Sequence, residues 1–382
     1  MSWLGIQGHD DVMRRFQRAI ERERLASTFL FIGAPGIGKR SFALKLAQTL
    51  QCENVPPAQM SPCGTCLSCR QAMEGTHPDI LFVSRPADRA FIPIELLIGP
   101  KENRMREGLC AELATTPFFK KRKIAIIDDA DYLNVEGANA MLKTLEEPPR
   151  KSVLILIGTS AAKQLPTIRS RCQMIRFAPL ASSVVETILR QKIDSQEEKG
   201  AKSRSRRAPV GVPTEEMIPL LTAYSNGSVE EALALADESL WEFRRVFLRT
   251  LAEAPRERTN WAKTIEAHLD EVGKVPALRR ARLGLIMEFA ADFYRRLAIY
   301  LAGSPIRDPQ MDAEWQPILT EAAKNWKFDA DAAAQAATRV VDWMELLQRN
   351  VHQPSLIDAW LDDLLLIHQG DARRLGPLPW TI

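Results

Sequence analysis

The sequence has almost no excess of charge of either sign. Its 382 residues include 51 lysines and arginines against 48 aspartates and glutamates, which gives a formal net charge of +3. A chain so close to neutrality has no overall field that would attract a polyanion, so any affinity for nucleic acid has to come from a local cluster or from an assembled complex. Hydrophobic residues make up 46% of the chain, which is ordinary for a globular protein and excludes a fibre or a disordered chain.

Long apolar runs are also missing. No stretch reaches the roughly 18 uncharged apolar residues that a bilayer-spanning helix needs, and residues 1–11 contain neither the basic nor the apolar part of a secretion signal. We therefore expect a cytoplasmic protein without membrane contact. In a reducing compartment, clustered cysteines are more often metal ligands or catalytic groups than disulfides.

The first half of the chain predicts a parallel β-sheet flanked by helices, because short β-rich runs alternate there with helical patterns. Residues 134–147 have apolar side chains at helical spacing, begin with an asparagine suited to cap a helix, and stop before two prolines. These features predict a helix. Four apolar runs are predicted to be buried central strands: residues 28–32, 80–83, 124–127 and 153–157.

The strand pattern ends at about Pro179. Residues 180–190 and 217–236 are predicted to form short amphipathic helices. The segment between them, residues 197–213, is rich in small residues and prolines and is predicted to be a mobile loop. It carries five cations, at Lys199, Lys202, Arg204, Arg206 and Arg207.

The last part of the chain predicts helices alone. Beyond Leu240, helical patterns cover residues 283–301, 330–347 and 356–367, and seven of the eight tryptophans lie there. This predicts a separate helical domain of roughly 140 residues, a usual domain size. The fold class is therefore α/β followed by all-α, with three predicted domains: residues 1–178, 179–240 and 241–382.

A phosphate-binding loop is predicted at residues 33–41, GAPGIGKRS, between a predicted strand and a helical run. Glycines let backbone N–H groups turn toward phosphate oxygens, the following helix presents its positive end, and the lysine can reach the outer phosphates. The candidate nucleotide-binding residues are therefore Gly33, Gly36, Gly38 and Lys39. The alternative is a glycine-rich turn that binds nothing.

Two positions near this loop depart from what nucleotide hydrolysis needs. The residue after Lys39 should be a serine or threonine whose hydroxyl binds Mg²⁺, but it is Arg40. Ser41 lies about 100° further round the helix. Asp128, the first carboxylate after the third predicted strand, is predicted to lie near the Mg²⁺ site, unless it and its neighbour only cap the next helix. That neighbour, Asp129, stands where hydrolysing P-loop proteins usually have glutamate, and its shorter side chain should slow phosphoryl transfer.

The cysteines Cys52, Cys63, Cys66 and Cys69 have the spacing C-x10-C-x2-C-x2-C. Four thiolates can satisfy a tetrahedral Zn²⁺ ion. A closed site of this kind leaves no place for water, so its role would be structural, holding together a polar insertion that has few apolar residues of its own. An iron–sulfur cluster and unligated thiols remain the alternatives.

The tripeptide Ser170-Arg171-Cys172 follows the last predicted strand. At the edge of a nucleotide-binding domain, an arginine there can act as a finger toward the γ-phosphate of a neighbouring subunit, because arginine combines permanent charge with a planar set of donors. The alternative is a solvated surface charge. Cys172 and Cys110 stand apart from the other cysteines and are predicted to be buried small residues.

Taken together, these residues resemble the AAA+ clamp-loader subunits of bacterial DNA polymerase III. Within that group, GTHPD and IDDAD are similar to the delta-prime family, whereas the gamma/tau ATPase subunits usually show an IDE-V-H version of the acidic strand. The resemblance is close over residues 5–180 and only architectural beyond them. It is carried by GAPGIGK, the four cysteines, GTHPD at residues 75–79, IIDDADYLNVEGANAMLKTLEEPP at 126–149 and SRC at 170–172.

The resemblance implies an AAA+ P-loop sheet with a zinc-module insertion, a small helical lid, and a helical collar domain through which five subunits assemble. The implied partners are the gamma/tau and delta subunits, with the sliding clamp and primed DNA reached through the complex. Delta-prime subunits are regarded as the rigid stator of the ring, and their SRC arginine, here Arg171, serves the ATP site of the adjacent gamma/tau subunit. The four cysteines match the family's zinc ligands, although the first gap of ten residues is longer than usual.

The lid sequence departs from the hydrolysing relatives as well. They carry a sensor arginine in a G-S-x-R-x-A-L pattern, and the matching position here is Glu230. Together with Arg40 and Asp129, this implies little or no ATPase activity, although the P-loop glycines and Lys39 could still permit weak binding of ATP and Mg²⁺. The alternatives are an active gamma/tau-type ATPase, a P-loop nucleoside kinase, and a protein that binds DNA through residues 199–207, a cluster without aromatic residues for base stacking.

Overall fold

The computed structural model of the chain describes residues 3, 5–86, 88–200, 211–253, 258–304, 309–347 and 351–369. The chain divides into two compact units, Met1–Asp237 and Glu238–Ile382. The predicted division of the first unit at residue 178 stays a prediction. In the part of the chain described, no helix has both the length and the apolar character that crossing a membrane requires.

The first unit contains a five-stranded parallel sheet, which confirms the α/β prediction. The strands stand in the order β2-β3-β4-β1-β5, so the chain crosses over between neighbours, as parallel pairing requires. β1, β3 and β4 are buried along their whole length, consistent with their nearly continuous apolar sequences. The five strands are β1 Thr28–Ile32, β2 Ile80–Val83, β3 Lys123–Ile127, β4 Ser152–Gly158 and β5 Gln173–Arg176.

Two strand predictions need correction. β2 was predicted to be a buried central strand, but it is an edge strand of the sheet, and Phe82 within it is 37% exposed. An apolar run alone does not tell an edge strand from a central one. β5 was not predicted, because its four residues include exposed polar side chains at both ends and give too short a pattern to recognise.

Helices cover both faces of the sheet. Since side chains alternate along a strand, Leu30 and Ile127 point to one face, where they pack in a cluster with Met141. On the other face, the ring centroid of Phe16 lies 5.7 Å from that of Phe42. Each aromatic side chain buried in this way stabilises the fold by about 1.5–3 kcal/mol. The helices of the first unit are α1 Asp10–Glu21, α2 Lys39–Gln51, α3 Leu67–Glu74, α4 Ile94–Ile98, α5 Leu109–Ala114, α6 Val135–Glu146, α7 Pro166–Arg169, α8 Ser182–Gly200, α9 Ile218–Tyr224 and α10 Val229–Ala234.

The predicted helix at residues 134–147 is confirmed as α6. The Asn134 side chain accepts a hydrogen bond of 2.7 Å from the backbone N–H of Gly137, so it caps the helix as its residue type suggested. The helix ends at Glu146, two residues before the first proline of the pair.

The region after β5 differs from its prediction in two ways. α8 continues to Gly200, so the predicted loop at residues 197–213 is wrong at its beginning. Most of the basic cluster falls in residues 201–210, outside the described part of the chain. The predicted helix at residues 217–236 is interrupted between α9 and α10, where Gly227 adopts a φ of +77° that a right-handed helix cannot include.

The second unit is helical, as predicted. Trp315, Trp343 and Trp360 are fully buried in it and form part of its core. The buried guanidinium of Arg244 pairs with Glu314 and lies 5.2 Å from the ring centroid of Trp315, which offsets its desolvation. Its helices are α11 Glu238–Ala252, α12 Arg258–Glu271, α13 Pro276–Leu301, α14 Pro309–Asn325, α15 Ala330–Leu347 and α16 Gln353–Gln369.

Candidate functional site

A cavity of about 810 Å³ lies in the first unit, at the loop between β1 and α2. Four of the five predicted nucleotide-binding residues line it: Gly36, Gly38, Lys39 and Asp128. The fifth, Gly33, packs beneath the loop, where a side chain would collide with the backbone of Phe177. The volume is within the range of roughly 300–1,000 Å³ of small-molecule sites.

The loop needs its glycines for two separate reasons. Gly36 and Gly38 have φ angles of +67° and +98°, which side chains with a Cβ rarely adopt. Gly36 is also contacted from the helical region of the same unit: a Cβ there would collide with Glu230 and Ser228, and its carbonyl accepts a 3.2 Å bond from the N–H of Val229. The N-terminus of α10 therefore packs directly on the loop between β1 and α2.

The lysine of the loop is turned onto the loop itself. Lys39 is 7% exposed, and its Nζ donates to the carbonyl oxygens of Gly33 at 2.6 Å and Ala34 at 2.5 Å. Burial lowers the pKa of this ammonium, while the charges of Asp128, Asp131 and Glu230 act in the opposite direction. Its contacts within the loop would have to be exchanged for phosphate contacts if a nucleotide entered.

Arg40 lies against the acidic end of β3. Its Nη1 is 3.7 Å from Oδ2 of Asp128, and its guanidinium carbon lies 4.4 Å from the ring centroid of Phe82 on β2. Burial raises the pKa of Asp128, although the backbone N–H of Asp129 opposes this by donating to Asp128 Oδ1 at 3.0 Å. Sequence reasoning had paired neither Asp128 nor Phe82 with Arg40.

These residues do not suit a magnesium ion. The carboxylate that would bind the ion is beside a permanent cation, and the position that normally supplies a hydroxyl supplies that cation instead. Asp129, which also lines the cavity, has a left-handed φ of +58°. Asp131, which sequence reasoning did not single out, is committed elsewhere: it accepts hydrogen bonds from Thr159 and Gln164.

The four clustered cysteines form a single group of sulfur atoms. Their Sγ atoms all lie within 4.8 Å of one another, and Cys63 Sγ lies 4.0 Å from Cys69 Sγ. A tetrahedral ion with bonds of about 2.3 Å to sulfur places its ligands ~3.8 Å apart, so the spacing fits a four-thiolate site. Backbone N–H groups that point at sulfur, those of Cys66 first, lower the pKa of Cys63 to about 6. Burial raises the pKa of Cys69 to about 12, so it is the spacing of the four sulfur atoms that indicates that the group could bind a metal ion.

A hydrogen-bonded chain joins the cysteine module to the sheet, and it passes through the GTHPD motif. The backbone N–H of Asp79 donates to His77 Nδ1 at 3.0 Å, so Nε2 carries the proton and donates to Ser68 Oγ at 2.8 Å. Ser68 in turn donates to the carbonyl of Gln51 at 2.8 Å. Burial lowers the pKa of His77, which keeps it neutral. The hydrogen-bonding role of His77 in this motif was not predicted from the sequence.

The predicted finger residue, Arg171, is held within its own chain. Its Nε donates to Glu146 Oε1 at 2.6 Å, and its Nη1 donates to the carbonyl of Thr167 at 3.0 Å. The side chain is 31% exposed, so one side of the guanidinium faces outward. Glu146, the last residue of α6, was not identified from the sequence. Of the two separate cysteines, Cys110 is buried as predicted, whereas Cys172 is only partly buried.

The first part of the chain is similar in sequence to known proteins. Residues 8–181 match the family model described as DNA polymerase III, delta subunit. The subunit delta' of DNA polymerase III from Bacillus subtilis is 33% identical over 175 residues, which are 46% of this chain and 49% of that protein. The Pseudomonas aeruginosa subunit delta' is 36% identical over 178 residues, 46% of this chain and 51% of that protein.

The similarity extends further along the chain for a second kind of relative. DNA polymerase III subunit tau from B. subtilis is 25% identical over 238 residues, 62% of this chain and 37% of that protein. The match spans about half the length of the two delta' relatives. The greater identity to delta' agrees with the family model, and residues 8–181 are therefore similar to the delta' subunits of DNA polymerase III.

Proposed function

We propose that this chain is the stator of a bacterial clamp loader: a cytoplasmic accessory subunit of the DNA polymerase III holoenzyme that helps to load the sliding clamp onto primed DNA. Its partners would be gamma/tau and delta subunits. Residues 179–240 would act as the lid of the nucleotide-binding domain, and residues 241–382 as the collar through which the subunits assemble. The match of residues 8–181 to the family model and the similarity to tau over a longer region support this assignment.

The observation that carries the stator assignment is the contact between Arg40 and Asp128. Phosphoryl transfer in P-loop proteins depends on a metal ion held between a hydroxyl and this carboxylate. With a guanidinium 3.7 Å from Asp128, a dication would have to enter beside a fixed positive charge. Glu230 adds a carboxylate where hydrolysing relatives have a sensor arginine, and it contacts Gly36. The chain would therefore keep the shape of an ATPase with little or no turnover.

The contribution of this subunit to hydrolysis would be Arg171, presented to the ATP site of a neighbouring gamma/tau subunit. Its guanidinium is oriented by Glu146 and Thr167, and a positioned cation costs less ordering entropy on reaching a phosphate than a free one. Backbone packing holds the residue in place, since its carbonyl accepts a 2.8 Å bond from Thr28 Oγ1 on β1.

The cysteine group would hold a structural Zn²⁺ ion through Cys52, Cys63, Cys66 and Cys69. Four sulfur ligands leave no open position on zinc, so the ion would supply folding energy and no catalysis. The hydrogen bond between Ser68 and His77 would connect the metal-stabilised module to the sheet.

The test is the ATPase and clamp-loading rate of a complex reconstituted with gamma/tau and delta. Replacing Arg171 by alanine should abolish the hydrolysis contributed by the adjacent site, because an arginine finger is worth on the order of 10³ in rate. Arg169→Ala, an exposed arginine two residues away, is the matched control and should leave the rate unchanged. Full activity of the Arg171→Ala complex would remove the finger from the proposal.

One observation favours a second candidate, an active gamma/tau-type ATPase: the chain keeps the P-loop glycines and Lys39, and its similarity to tau covers 62% of its length. Hydrolysis by the isolated chain, measured with and without primed DNA, separates the two. Turnover that Lys39→Ala abolishes would establish the active ATPase and end the stator proposal.

A further inference from the structure

The side chain of Arg40 lies where a P-loop protein binds its metal ion. Arg40 follows Lys39 at the beginning of α2, lines the cavity, and faces the carboxylate on the end of β3. In metal-dependent relatives, the residue at this position and that carboxylate hold the Mg²⁺ that neutralises the outer phosphates. Here the same two positions form an ion pair, so a positive charge is already present without a metal.

Two contacts hold that charge in place. Asp128 pairs with the guanidinium from one side, and the ring of Phe82 lies under it at 4.4 Å. A cation over an aromatic face keeps its N–H groups free at the edge of the plane. Arginine has five donors, and of the two contacts only the pairing with Asp128 occupies an edge. The side chain is 59% exposed, so part of the donor set faces the cavity.

The rest of the cavity has the composition of a nucleoside polyphosphate site. Its lining includes the apolar side chains of Ile6, Leu180 and Leu233, which suit a base. The lining also includes the two loop glycines with left-handed backbone, which can turn N–H groups toward phosphate. The charges that face it are Lys39, Arg40, Lys163 and Lys192 against Asp128, Asp129, Asp131 and Glu230. Positive and negative side chains are thus equal in number, and removing Arg40 would leave three positive side chains against four negative ones.

We propose that Arg40 replaces the divalent cation at this site, so that the chain binds a nucleoside triphosphate without a metal ion. The inference concerns the same non-hydrolysing site as the proposed function and rests on it for that reason. Binding without metal also accounts for how a P-loop can keep its glycines, its lysine and its cavity when the hydroxyl ligand of Mg²⁺ is missing. The nucleotide would then be a permanently bound ligand that stabilises the fold and is not hydrolysed.

The experiment is a titration of the full-length isolated chain with a fluorescent ATP analogue, in EDTA and in excess MgCl₂. The wild type should bind equally well in both. Arg40→Thr removes the charge and supplies the hydroxyl of an ordinary P-loop. Its affinity in EDTA should fall by roughly tenfold or more, the effect of losing a charge-assisted contact, and Mg²⁺ should restore it. Arg14→Thr, an exposed arginine on α1 paired with Asp11, should behave as the wild type.

Arg40→Lys keeps the charge and should retain binding in EDTA, which guards against a folding defect in the threonine variant. A wild type that binds only with Mg²⁺, a wild type that binds in neither buffer, or an Arg40→Thr chain with unchanged affinity in EDTA would each overturn the inference. The assay reads binding by the isolated chain, whereas the Arg171 experiment reads hydrolysis by the assembled complex, so the failure of one leaves the other intact.

Discussion

Replacing Asp79 by asparagine should destabilise the first unit more than any surface substitution of the same kind. Asp79 ends the GTHPD motif and is fully buried. Its two carboxylate oxygens accept hydrogen bonds from the backbone N–H groups of Phe118 and Phe119, at 2.8 and 2.9 Å. The side chain therefore fixes the turn before β3, and it does so as an acceptor on both sides.

The magnitude follows from those two bonds. Asparagine keeps one acceptor oxygen and places an amide N–H₂ group against the second backbone donor. One hydrogen bond to a charged group is lost and the other becomes a neutral one, which amounts to about 2–4 kcal/mol. For a unit of this size each kcal/mol lowers Tm by roughly 2–4 °C, so the melting transition should fall by roughly 4–16 °C.

The assay is thermal unfolding followed together with hydrogen exchange at the Phe118 and Phe119 amides, which should exchange faster in the variant. The matched control is Asp88→Asn: the carboxylate of Asp88 is 79% exposed, and its pair with Arg89 at 3.7 Å should contribute at most about 1 kcal/mol. If Asp79→Asn unfolds within a degree of the wild type and of this control, Asp79 does not fix the turn before β3 as argued from its two hydrogen bonds.

Three further outcomes are expected. The chain should hold one tightly bound zinc ion by elemental analysis, and Cys66→Ser should lose it while Cys110→Ala keeps it; metal retained by the Cys66 variant would contradict the four-thiolate site. Gly36→Ala and Gly75→Ala both place a side chain at positive φ, but Gly75 has open space around it. In urea unfolding, Gly36→Ala should therefore lower the free energy of unfolding by roughly 1–3 kcal/mol more than Gly75→Ala, because its side chain collides with α10. Equal losses would show that α10 does not press on the loop. In the second unit, burial lowers the pKa of His368 to about 4, so the unfolded chain binds the proton first as the pH falls. The free energy of unfolding should therefore fall below about pH 6.5 and level off near pH 4, by about 3 kcal/mol in all. In urea unfolding His368→Gln should remove this loss, and a wild type whose stability does not depend on pH would disprove it.

The parts of the fold that the sequence predicted are those that local physics decides. Four of the five strands and α6 follow from apolar runs, helical spacing and a capping asparagine, all within a few residues of one another. β5 escaped because a four-residue edge strand with polar ends has no distinctive period. The position of β2 at the edge escaped because strand order depends on packing between distant segments, which no local pattern records.

In the candidate site, too, the residues of local motifs were predicted, whereas contacts between distant segments were not. Gly36, Gly38, Lys39 and Asp128, predicted from motif and spacing, do line one cavity, while their role in nucleotide binding stays a prediction. The partners of Arg171 and Arg40 were not predicted from the sequence. Arg171 meets Glu146 across 25 residues, and Arg40 meets Phe82 across 42. Such pairs arise only when the fold brings distant segments of the chain together, so a single sequence gives no signal for them.

The three departures from a hydrolysing site act on different steps, and this makes them independent. In the proposed site, Arg40 would take the place of the metal ion, Asp129 would be shorter than the group that orients water, and Glu230 would place a carboxylate where a cation stabilises the γ-phosphate. Reversing any one of them leaves the other two barriers in place, since each acts on a separate part of the transition state. That the loop nevertheless keeps two glycines at positive φ, a buried lysine and a cavity of about 810 Å³ argues that the shape of the site still has a use, and a cation supplied by the chain itself is the arrangement that would let it hold a phosphate without consuming it.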